Sequence, residues 1–198
     1  MKRMMYRIFI SLLFLSALPA MGVIAIFIML IDGTPVLYRQ KRVGYNGKPF
    51  TMVKFRTMVR GADTLQKKYA RRNEAEWPVF KIRNDPRFTR MGRFLSHTGL
   101  DELPQLINVL HGDMALFGPR PLPVAEAKKL KPWMQKRHAI KPGIISPWIF
   151  EGYHAKPFDE WMESDIVYTQ QKSIWFDLTL LGKAVVFVGK LLRREAMD

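Results

Sequence analysis

Residues 8–31 read IFISLLFLSALPAMGVIAIFIMLI, a run of 24 residues without a charged side chain. About 20 apolar residues are enough to cross a bilayer as a helix. A cleaved signal peptide has a shorter apolar region of about 7–15 residues, followed by a small-residue cleavage site. The length of the run therefore predicts a membrane anchor in residues 1–33, and the remaining residues 34–198 are expected to form one domain.

Charges around this run favour a helix that enters the membrane and returns to the same side. Basic residues lie at positions 2, 3 and 7 before the run and at positions 39, 41 and 42 after it. Lys and Arg prefer the cytoplasmic side, so neither end favours crossing. Pro19 removes a backbone hydrogen bond in the middle of the run. The sequence predicts a re-entrant helix broken near Leu18–Pro19, with a proline-kinked spanning helix as the alternative.

The composition points to an anionic partner. The chain has 32 Lys and Arg against 17 Asp and Glu, a formal charge of +15. Nucleic acid, anionic bilayer lipids and phosphorylated substrates would all suit that charge. Because 48% of the residues are hydrophobic, a disordered basic tail is excluded. The lack of cysteine excludes disulfides, thiolate metal sites and a cysteine nucleophile.

The domain is expected to be α+β and mainly helical. Pro35–Tyr38 and Phe50–Phe55 are β-prone runs on either side of the turn Gly44-Tyr-Asn-Gly47, which predicts a short hairpin. Helical patterns follow it in Gly61–Asn73, Asp85–Leu95, Asp101–His111, Val124–Ala139, Phe158–Tyr168 and Trp175–Leu192. The last of them is typical of a buried or an interfacial amphipathic helix. In the second of these, Arg87, Arg90 and Arg93 are expected to share one face.

Lys54-Phe-Arg-Thr57 is the first cluster that suggests chemistry. Residues two apart in a strand face the same way, so Lys54 and Arg56 would point together and Phe55 to the other side. Two cations on one face could bind phosphate. The alternative is an exposed edge strand whose charges discourage aggregation.

Asp101 and Glu102 open a predicted helix. Acidic residues are ordinary in a first turn, where they complement the helix dipole. The functional alternative is that one carboxylate attacks phosphorus and forms a covalent acyl phosphate. The second could bind Mg²⁺, which prefers oxygen ligands and neutralises diphosphate charge.

Gly118-Pro-Arg-Pro121 is the third cluster. Two prolines fix the backbone around Arg120, and an arginine can grip a phosphate with two parallel hydrogen bonds. The same pattern would also suit a tight structural loop with an exposed arginine.

In this order the motifs resemble the bacterial sugar transferase family, the monotopic polyprenyl-phosphate phosphoglycosyl transferases. The matching residues run from Pro35 to Gly143 and continue loosely to the C-terminus. The matching motifs are Lys54-Phe-Arg-Thr-Met58, Asn84-Asp-Pro-Arg87, Gly92-Arg-Phe-Leu95, Leu100-Asp-Glu-Leu-Pro-Gln-Leu106, Asn108-Val-Leu-His-Gly-Asp-Met114 and Gly118-Pro-Arg-Pro-Leu122.

The resemblance implies a reaction and a set of site residues. Asp101 would be the nucleophile that attacks the sugar-linked phosphate of a UDP-sugar, so that UMP leaves. A polyprenyl (undecaprenyl) phosphate would then take the phospho-sugar from Asp101. Glu102 would bind Mg²⁺, and Lys54 and Arg120 would line the site. The resemblance also implies a re-entrant anchor in the bacterial inner membrane, with the catalytic domain on the cytoplasmic face.

The chain departs from the family pattern at several positions. The break in the anchor is Leu18-Pro19 instead of the usual Ser-Pro. Ser96 stands where many members have an arginine five residues before the nucleophile, and Arg93 is expected to replace that arginine in preference to His97. Lys141-Pro-Gly143 replaces Arg-Pro-Gly, which makes Lys141 a candidate substrate ligand. The loop that follows, through Trp148 and Glu151-Gly-Tyr-His154, differs from the family loop thought to shape the donor pocket.

Two other classes of protein share some of these features. A membrane-tethered module that binds nucleic acid or anionic lipid would explain the charge and the anchor, but not the paired carboxylates beside an arginine-bearing loop. A nucleotide-sugar glycosyltransferase commonly carries an Asp-x-Asp metal motif, and this sequence has none. It also lacks a glycine-rich dinucleotide motif and a P-loop. The sequence therefore favours a phosphoglycosyl transferase that does not bind nucleic acid.

Overall fold

The structure is a computed structural model that describes residues 2–76, 78–147 and 157–195. The chain begins with helix α1 (Lys2–Ile31), which contains Pro19. Of the helices described, one is long and apolar enough to cross a membrane by length and composition, at Met4–Ile31. An apolar helix therefore forms where the uncharged run predicts it. It continues through Pro19 as one helix, so the break predicted near Leu18–Pro19 is not present.

A β-hairpin follows α1, as the sequence predicts. Strands β1 (Leu37–Val43) and β2 (Pro49–Phe55) pair antiparallel, and Tyr38 lies opposite Lys54. The turn between them uses Asn46 at φ 53° and Gly47 at φ 72°. Both residues adopt the left-handed conformation that an Asn-Gly pair favours.

The rest of the described chain is mostly helical. The helices are α2 (Ala62–Leu65), α3 (Arg90–Thr98), α4 (Leu106–His111), α5 (Val124–Ala127), α6 (Phe158–Gln171) and α7 (Ile174–Glu195). Tighter 3-10 turns lie at Tyr45–Gly47, Ala70–Arg72, Leu100–Gln105 and Pro132–Ala139. Strands β3 (Ala115–Phe117) and β4 (Gly143–Ile145) pair in parallel. The mainly helical α+β class is confirmed.

The predicted helix start at Asp85-Pro86 is wrong. The Asp85 carboxylate accepts hydrogen bonds from the backbone amide of Arg87 at 3.0 Å and from its guanidinium at 2.9 and 2.6 Å. Since Asp85 is occupied by this local turn and ion pair, it does not cap a helix. Helix α3 begins at Arg90, where the Thr89 hydroxyl accepts from the Gly92 amide at 3.0 Å. Arg87 therefore lies outside α3 and does not share a helix face with Arg90 and Arg93.

Three other predicted helices are interrupted. Asp101–His111 divides into the 3-10 segment Leu100–Gln105, which contains Pro104, and α4. Val124–Ala139 divides into α5 and the 3-10 segment that starts at Pro132, because a proline cannot donate to the preceding turn and holds Lys131 extended. Gly61–Asn73 holds only the four-residue helix α2 and a 3-10 turn. Short, charged helices are only marginally stable unless they can bury an apolar face. The predicted C-terminal helices are confirmed, since α6 and α7 cover them.

Packing joins these elements through three apolar clusters. The largest places Phe158, Trp161 and Met162 of α6 against Leu130 and Met134. The other two clusters lie on α1, one at each end. Ile10 packs with the β2 residues Phe50 and Met52, and Ile28 packs with Phe55 and Leu95. Both ends of α1 therefore contact the domain that follows it.

Candidate active site

The Asp101–Glu102 pair lies at the start of the 3-10 segment Leu100–Gln105, next to β2. Gly99 precedes it at φ 75°, a conformation that favours glycine. The Asp101 side chain is 7% exposed, and that of Glu102 is 20% exposed. The pair therefore forms a half-buried site in which each carboxylate needs a cationic partner.

Lys54 is the partner of Asp101. Its amine lies 3.3 Å from Oδ2 of Asp101. The same amine lies 6.0 Å from the centre of the Tyr38 ring on the neighbouring strand. The Tyr38 hydroxyl donates to the Asp63 carboxylate at 3.1 Å, which fixes the ring. Lys54 is thus held between an aromatic face and the buried carboxylate.

Arg120 is the partner of Glu102. Its guanidinium donates to Oε1 of Glu102 at 2.8 Å. Glu102 and Asp101 in turn raise the pKa of Arg120, with Glu102 the larger cause. The structure therefore brings together four of the residues predicted from the sequence: Lys54, Asp101, Glu102 and Arg120.

Burial shapes the protonation of Asp101. Removal from water raises the pKa of Asp101 above the usual range of an aspartate. The Lys54 ammonium opposes this effect, and the adjacent Glu102 adds to it. Ionised Asp101 consequently depends on the cations around it.

Lys81 belongs to the same charged cluster, and the sequence gives no sign of it. Burial, followed by the positive charge of Arg120, lowers the pKa of Lys81 to about 7. Glu102, Asp101 and Lys54 also act on Lys81 through their charges. The loop that carries Lys81 is organised by Asn73, whose side chain accepts from the Lys81 amide at 2.7 Å and donates to the Val79 carbonyl at 3.0 Å. A lysine in a polar loop has no spacing signal, because only the tertiary fold brings it to the site.

Arg56 lies elsewhere, although the sequence pairs it with Lys54. It is buried, and its guanidinium donates to the carbonyls of Asp32, Gly33 and Thr34 at 2.7, 2.5 and 2.8 Å. These carbonyls follow the last turn of α1, so Arg56 ties the end of that helix to the hairpin. The structure does not bring Arg56 beside Lys54 in one phosphate-facing surface, because β2 ends at Phe55 and the strand alternation stops there.

Arg93 and Lys141 also have their own local partners. Arg93 is exposed and donates to Oδ1 of Asn84 at 3.2 Å. Lys141 is exposed, and its amine lies beside Gly112 at the end of α4, 3.4 Å from the position a Cβ on Gly112 would take. Their roles in substrate binding stay predictions. The loop through Trp148 and Glu151-Gly-Tyr-His154 lies outside the described residues.

The carboxylates suit a metal that also binds substrate. Among the described residues, no group of three or more His, Cys, Asp or Glu side chains could by itself hold a metal ion. Mg²⁺ commonly uses one or two carboxylates together with substrate phosphates and water. Glu102, partly exposed beside Asp101, fits that kind of site.

Comparison with known proteins places the chain in a family. A family model described as "Bacterial sugar transferase" matches residues 1–191. The galactosyl transferase CpsE of Streptococcus agalactiae is 40% identical over 85% of this chain and 39% of its own length. The UDP-galactose-lipid carrier transferase of Erwinia amylovora is 37% identical over 90% of this chain and 37% of its own length.

A third relative matches the chain with similar identity and coverage. The undecaprenyl-phosphate galactose phosphotransferase of Salmonella typhimurium is 39% identical over 83% of this chain and 35% of its own length. The chain thus spans less than two fifths of the length of these three relatives. Because the family model covers nearly all of the chain, and the motif residues Lys54, Asp101, Glu102 and Arg120 meet in one site, the chain belongs to the bacterial sugar transferase family.

Proposed function

We propose that the chain transfers a sugar phosphate from a UDP-sugar to polyprenyl phosphate, through a covalent phospho-sugar on Asp101. The observation that carries the proposal is the pair of adjacent carboxylates, each held by a different cation. One relative is named for a UDP-galactose donor and a lipid carrier, and another for undecaprenyl phosphate. These names support a UDP-sugar donor and an undecaprenyl phosphate acceptor.

In the first step, a carboxylate oxygen of Asp101 attacks the phosphorus that bears the sugar. The bond from this phosphorus to the bridging oxygen breaks, and UMP leaves with that oxygen. Burial raises the pKa of Asp101, and the Lys54 charge opposes that effect and so favours the ionised carboxylate. Arg120 and Lys81 supply positive charge where the diphosphate would lie, which lowers the electrostatic cost of bringing an anion to a carboxylate.

Glu102 would hold Mg²⁺ together with the donor diphosphate. The ion would neutralise charge on the phosphoryl oxygens and on the leaving UMP. Glu102 already contacts Arg120, which orients its carboxylate towards the same region.

In the second step, a phosphate oxygen of the polyprenyl phosphate attacks the phosphorus bound to Asp101. The bond between phosphorus and the carboxylate oxygen breaks, which restores free Asp101 and releases a polyprenyl diphosphate sugar. A step of this type would begin the membrane assembly of a polysaccharide or glycoconjugate.

The leaving group tests this function. We expect purified protein with Mg²⁺ and undecaprenyl phosphate to release UMP from a member of a UDP-sugar panel. Asp101→Asn should lower turnover by roughly a thousandfold or more, as expected for loss of a catalytic nucleophile. Release of UDP would indicate a glycosyltransferase, and no release from any UDP-sugar would favour a membrane-tethered binding protein.

We also place the protein on one face of the membrane, with α1 re-entrant. The Tyr6 hydroxyl near the start of α1 accepts from the Leu116 amide at 3.2 Å. Ile10 and Ile28 are buried against the domain although 18 residues, roughly 27 Å of ideal helix, separate them. A spanning helix would carry Tyr6 and Ile10 across the bilayer, away from the domain. Contacts at both ends therefore support an anchor whose two ends lie on the same, cytoplasmic face of the inner membrane, with α1 as one helix through Pro19.

Two surfaces support contact with anionic bilayer lipids. Helix α7 exposes Ile174, Trp175, Leu178 and Val185, a pattern suited to the membrane interface. Residues 66–72 expose lysines and arginines without any acidic residue. This basic segment follows Arg60, which donates to the Thr34 carbonyl at 3.0 Å, close to where α1 ends. Anionic headgroups near that point would meet a complementary charge.

A further inference from the structure

The Arg120 loop is fixed by contacts from several separate elements. Each backbone carbonyl from Pro119 to Leu122 accepts one hydrogen bond. The donors are the Gly143 amide to Pro119 at 3.0 Å, the Arg137 guanidinium to Arg120 at 2.6 Å, the Arg42 guanidinium to Pro121 at 2.9 Å and the Val43 amide to Leu122 at 3.0 Å. The position of Arg120 therefore depends on these partners as well as on its own prolines.

Arg137 is the partner of the Arg120 carbonyl, and it is a deeply buried charge. Its side chain is 1% exposed, and that of its ion-pair partner Asp165 is 0% exposed. The Arg137 Nε atom donates to Oδ2 of Asp165 at 3.0 Å, and a terminal nitrogen also donates to that oxygen. The same terminal nitrogen, Nη2, also donates to the backbone carbonyl of Arg120. One guanidinium thus joins helix α6 to the loop that carries the Arg120 side chain.

A buried ion pair of this kind is not needed for stability alone. Replacing such a pair with apolar side chains of similar volume is often neutral or stabilising. Apolar side chains could fill the space between α6 and the 132–139 segment, but they could not hold a carbonyl. The contact with Arg120 is therefore the feature that an arginine provides and a packed apolar pair would not.

We propose that Asp165 and Arg137 are positioning residues for the sugar-phosphate transfer. Asp165 orients Arg137, Arg137 fixes the backbone of Arg120, and the Arg120 side chain holds Glu102. Neither Asp165 nor Arg137 touches the reacting atoms. This role rests on the proposed function of the Asp101–Glu102 site.

The first experiment measures the loop without any substrate. We expect amide hydrogen exchange to become faster in Asp165→Asn and in Arg137→Lys at Val43, Gly118 and Gly143, whose amides make the hydrogen bonds that tie this loop to its neighbours. The matched control is Asp159→Asn, because Asp159 also lies on α6 and pairs with Lys131, just before the 132–139 segment, at 2.5 Å on the surface. Unchanged exchange in both test variants would overturn the proposal, whatever reaction the protein catalyses.

The second experiment is a double-mutant cycle with Arg120→Ala, with UMP release as the readout. With Arg120 present, Asp165→Asn should lower kcat/KM roughly 100-fold, because Arg120 is then misplaced. When Arg120 is already alanine, Asp165→Asn should lower kcat/KM by about twofold or less, because it acts through Arg120. Equal losses in both backgrounds would mean a general structural role and would overturn the proposal.

A third variant separates folding from positioning. If Asp165→Asn or Arg137→Lys does not fold, the paired change Arg137→Met with Asp165→Leu keeps the interior filled without charge. We expect this double variant to show a native circular dichroism spectrum, fast amide exchange at Val43, Gly118 and Gly143, and low kcat/KM. Wild-type kcat/KM in the folded double variant would overturn the positioning role. Absence of UMP release from wild-type protein would instead contradict the proposed function. The exchange result would still show whether Asp165 and Arg137 hold the Arg120 loop in place.

Discussion

Lys54 and Asp101 form the contact on which the nucleophile depends. Burial raises the pKa of Asp101 and Lys54 lowers it, so activity should fall as the pH drops through a value above the normal aspartate range. We expect Lys54→Gln to move the acid limb of the kcat/KM–pH profile to higher pH, because the carboxylate then protonates more easily. Lys48→Gln, at an exposed position in the hairpin turn, is the control. Identical acid limbs in wild type and Lys54→Gln would contradict this role.

The pKa of Lys81 leads to a prediction for kcat/KM at alkaline pH. Since burial lowers the pKa of Lys81 to about 7, its positive charge is lost as the pH rises through that value. We expect kcat/KM for the UDP-sugar to decline above about pH 7 and Lys81→Arg to remove that decline. Lys81→Met should lower kcat/KM roughly 10- to 100-fold at pH 6, because the donor diphosphate would lose a charged hydrogen bond from the Lys81 ammonium.

Arg93→Ala provides the comparison for Lys81→Met, since the sequence favours Arg93 as the cation that compensates for Ser96. Arg93 contacts Asn84, whereas the charge of Lys81 acts on Asp101 and Glu102. A larger loss in Arg93→Ala than in Lys81→Met would assign the compensating charge to Arg93 instead.

Site residues were predictable from the sequence where the reaction requires a particular side chain, such as a carboxylate or a cation. The carboxylate pair, Lys54 and Arg120 meet in one site because each belongs to a motif with a rigid local frame. Lys81 was not predictable, because it comes from a loop without any sequence pattern and only the tertiary fold brings it to the site. Strand alternation pairs Arg56 with Lys54 only if β2 includes Arg56, and the strand ends one residue earlier, at Phe55.

At the scale of elements, side-chain competition explains why some boundaries differ from the prediction. The Asp85-Pro86 pair is typical of a helix start, but three nitrogens of Arg87 donate to the two Asp85 carboxylate oxygens, and Thr89 caps α3 instead. The periodic pattern of apolar residues does not show which of two polar residues caps a helix. The hairpin was predictable because the Asn-Gly turn and the alternating strands specify it together. The β3–β4 pair was not, since three-residue strands carry too little pattern.

The β3–β4 pair gives a test of how closely the Arg120 loop is packed. A Cβ on Gly143 would lie 2.1 Å from the Gly118 amide nitrogen, a backbone atom that cannot move freely. We expect Gly143→Ala to lower the free energy of unfolding by about 1–3 kcal/mol, as overpacking does, and to lower kcat/KM by displacing Arg120. Gly182→Ala in α7 is the control, because nothing lies within 4 Å of the added methyl. Equal stability of the two variants would contradict this account of the loop.

At the scale of the whole molecule, the position of α1 sets how the site meets its lipid substrate. We expect single cysteines at Lys2 and at Arg39 to be labelled from the same side of sealed vesicles, because both ends of α1 contact the domain. The natural chain has no cysteine, so each label reports one position. Pro19→Leu should increase labelling from opposite sides, because it restores the backbone hydrogen bond that a proline removes and so favours a straight spanning helix. Labelling from opposite sides in the unmodified background would establish a spanning helix.

The covalent step on Asp101 is the central claim, and mass spectrometry of the trapped enzyme tests it most directly. Protein incubated with Mg²⁺ and its UDP-sugar, but without polyprenyl phosphate, should release UMP in an amount close to one per enzyme. The peptide that contains Asp101 should then gain the mass of one phospho-sugar, and Asp101→Asn should show neither the burst nor the adduct. If UMP forms only when polyprenyl phosphate is present and the Asp101 peptide keeps its original mass, the sugar phosphate passes directly from donor to acceptor and Asp101 is not the nucleophile.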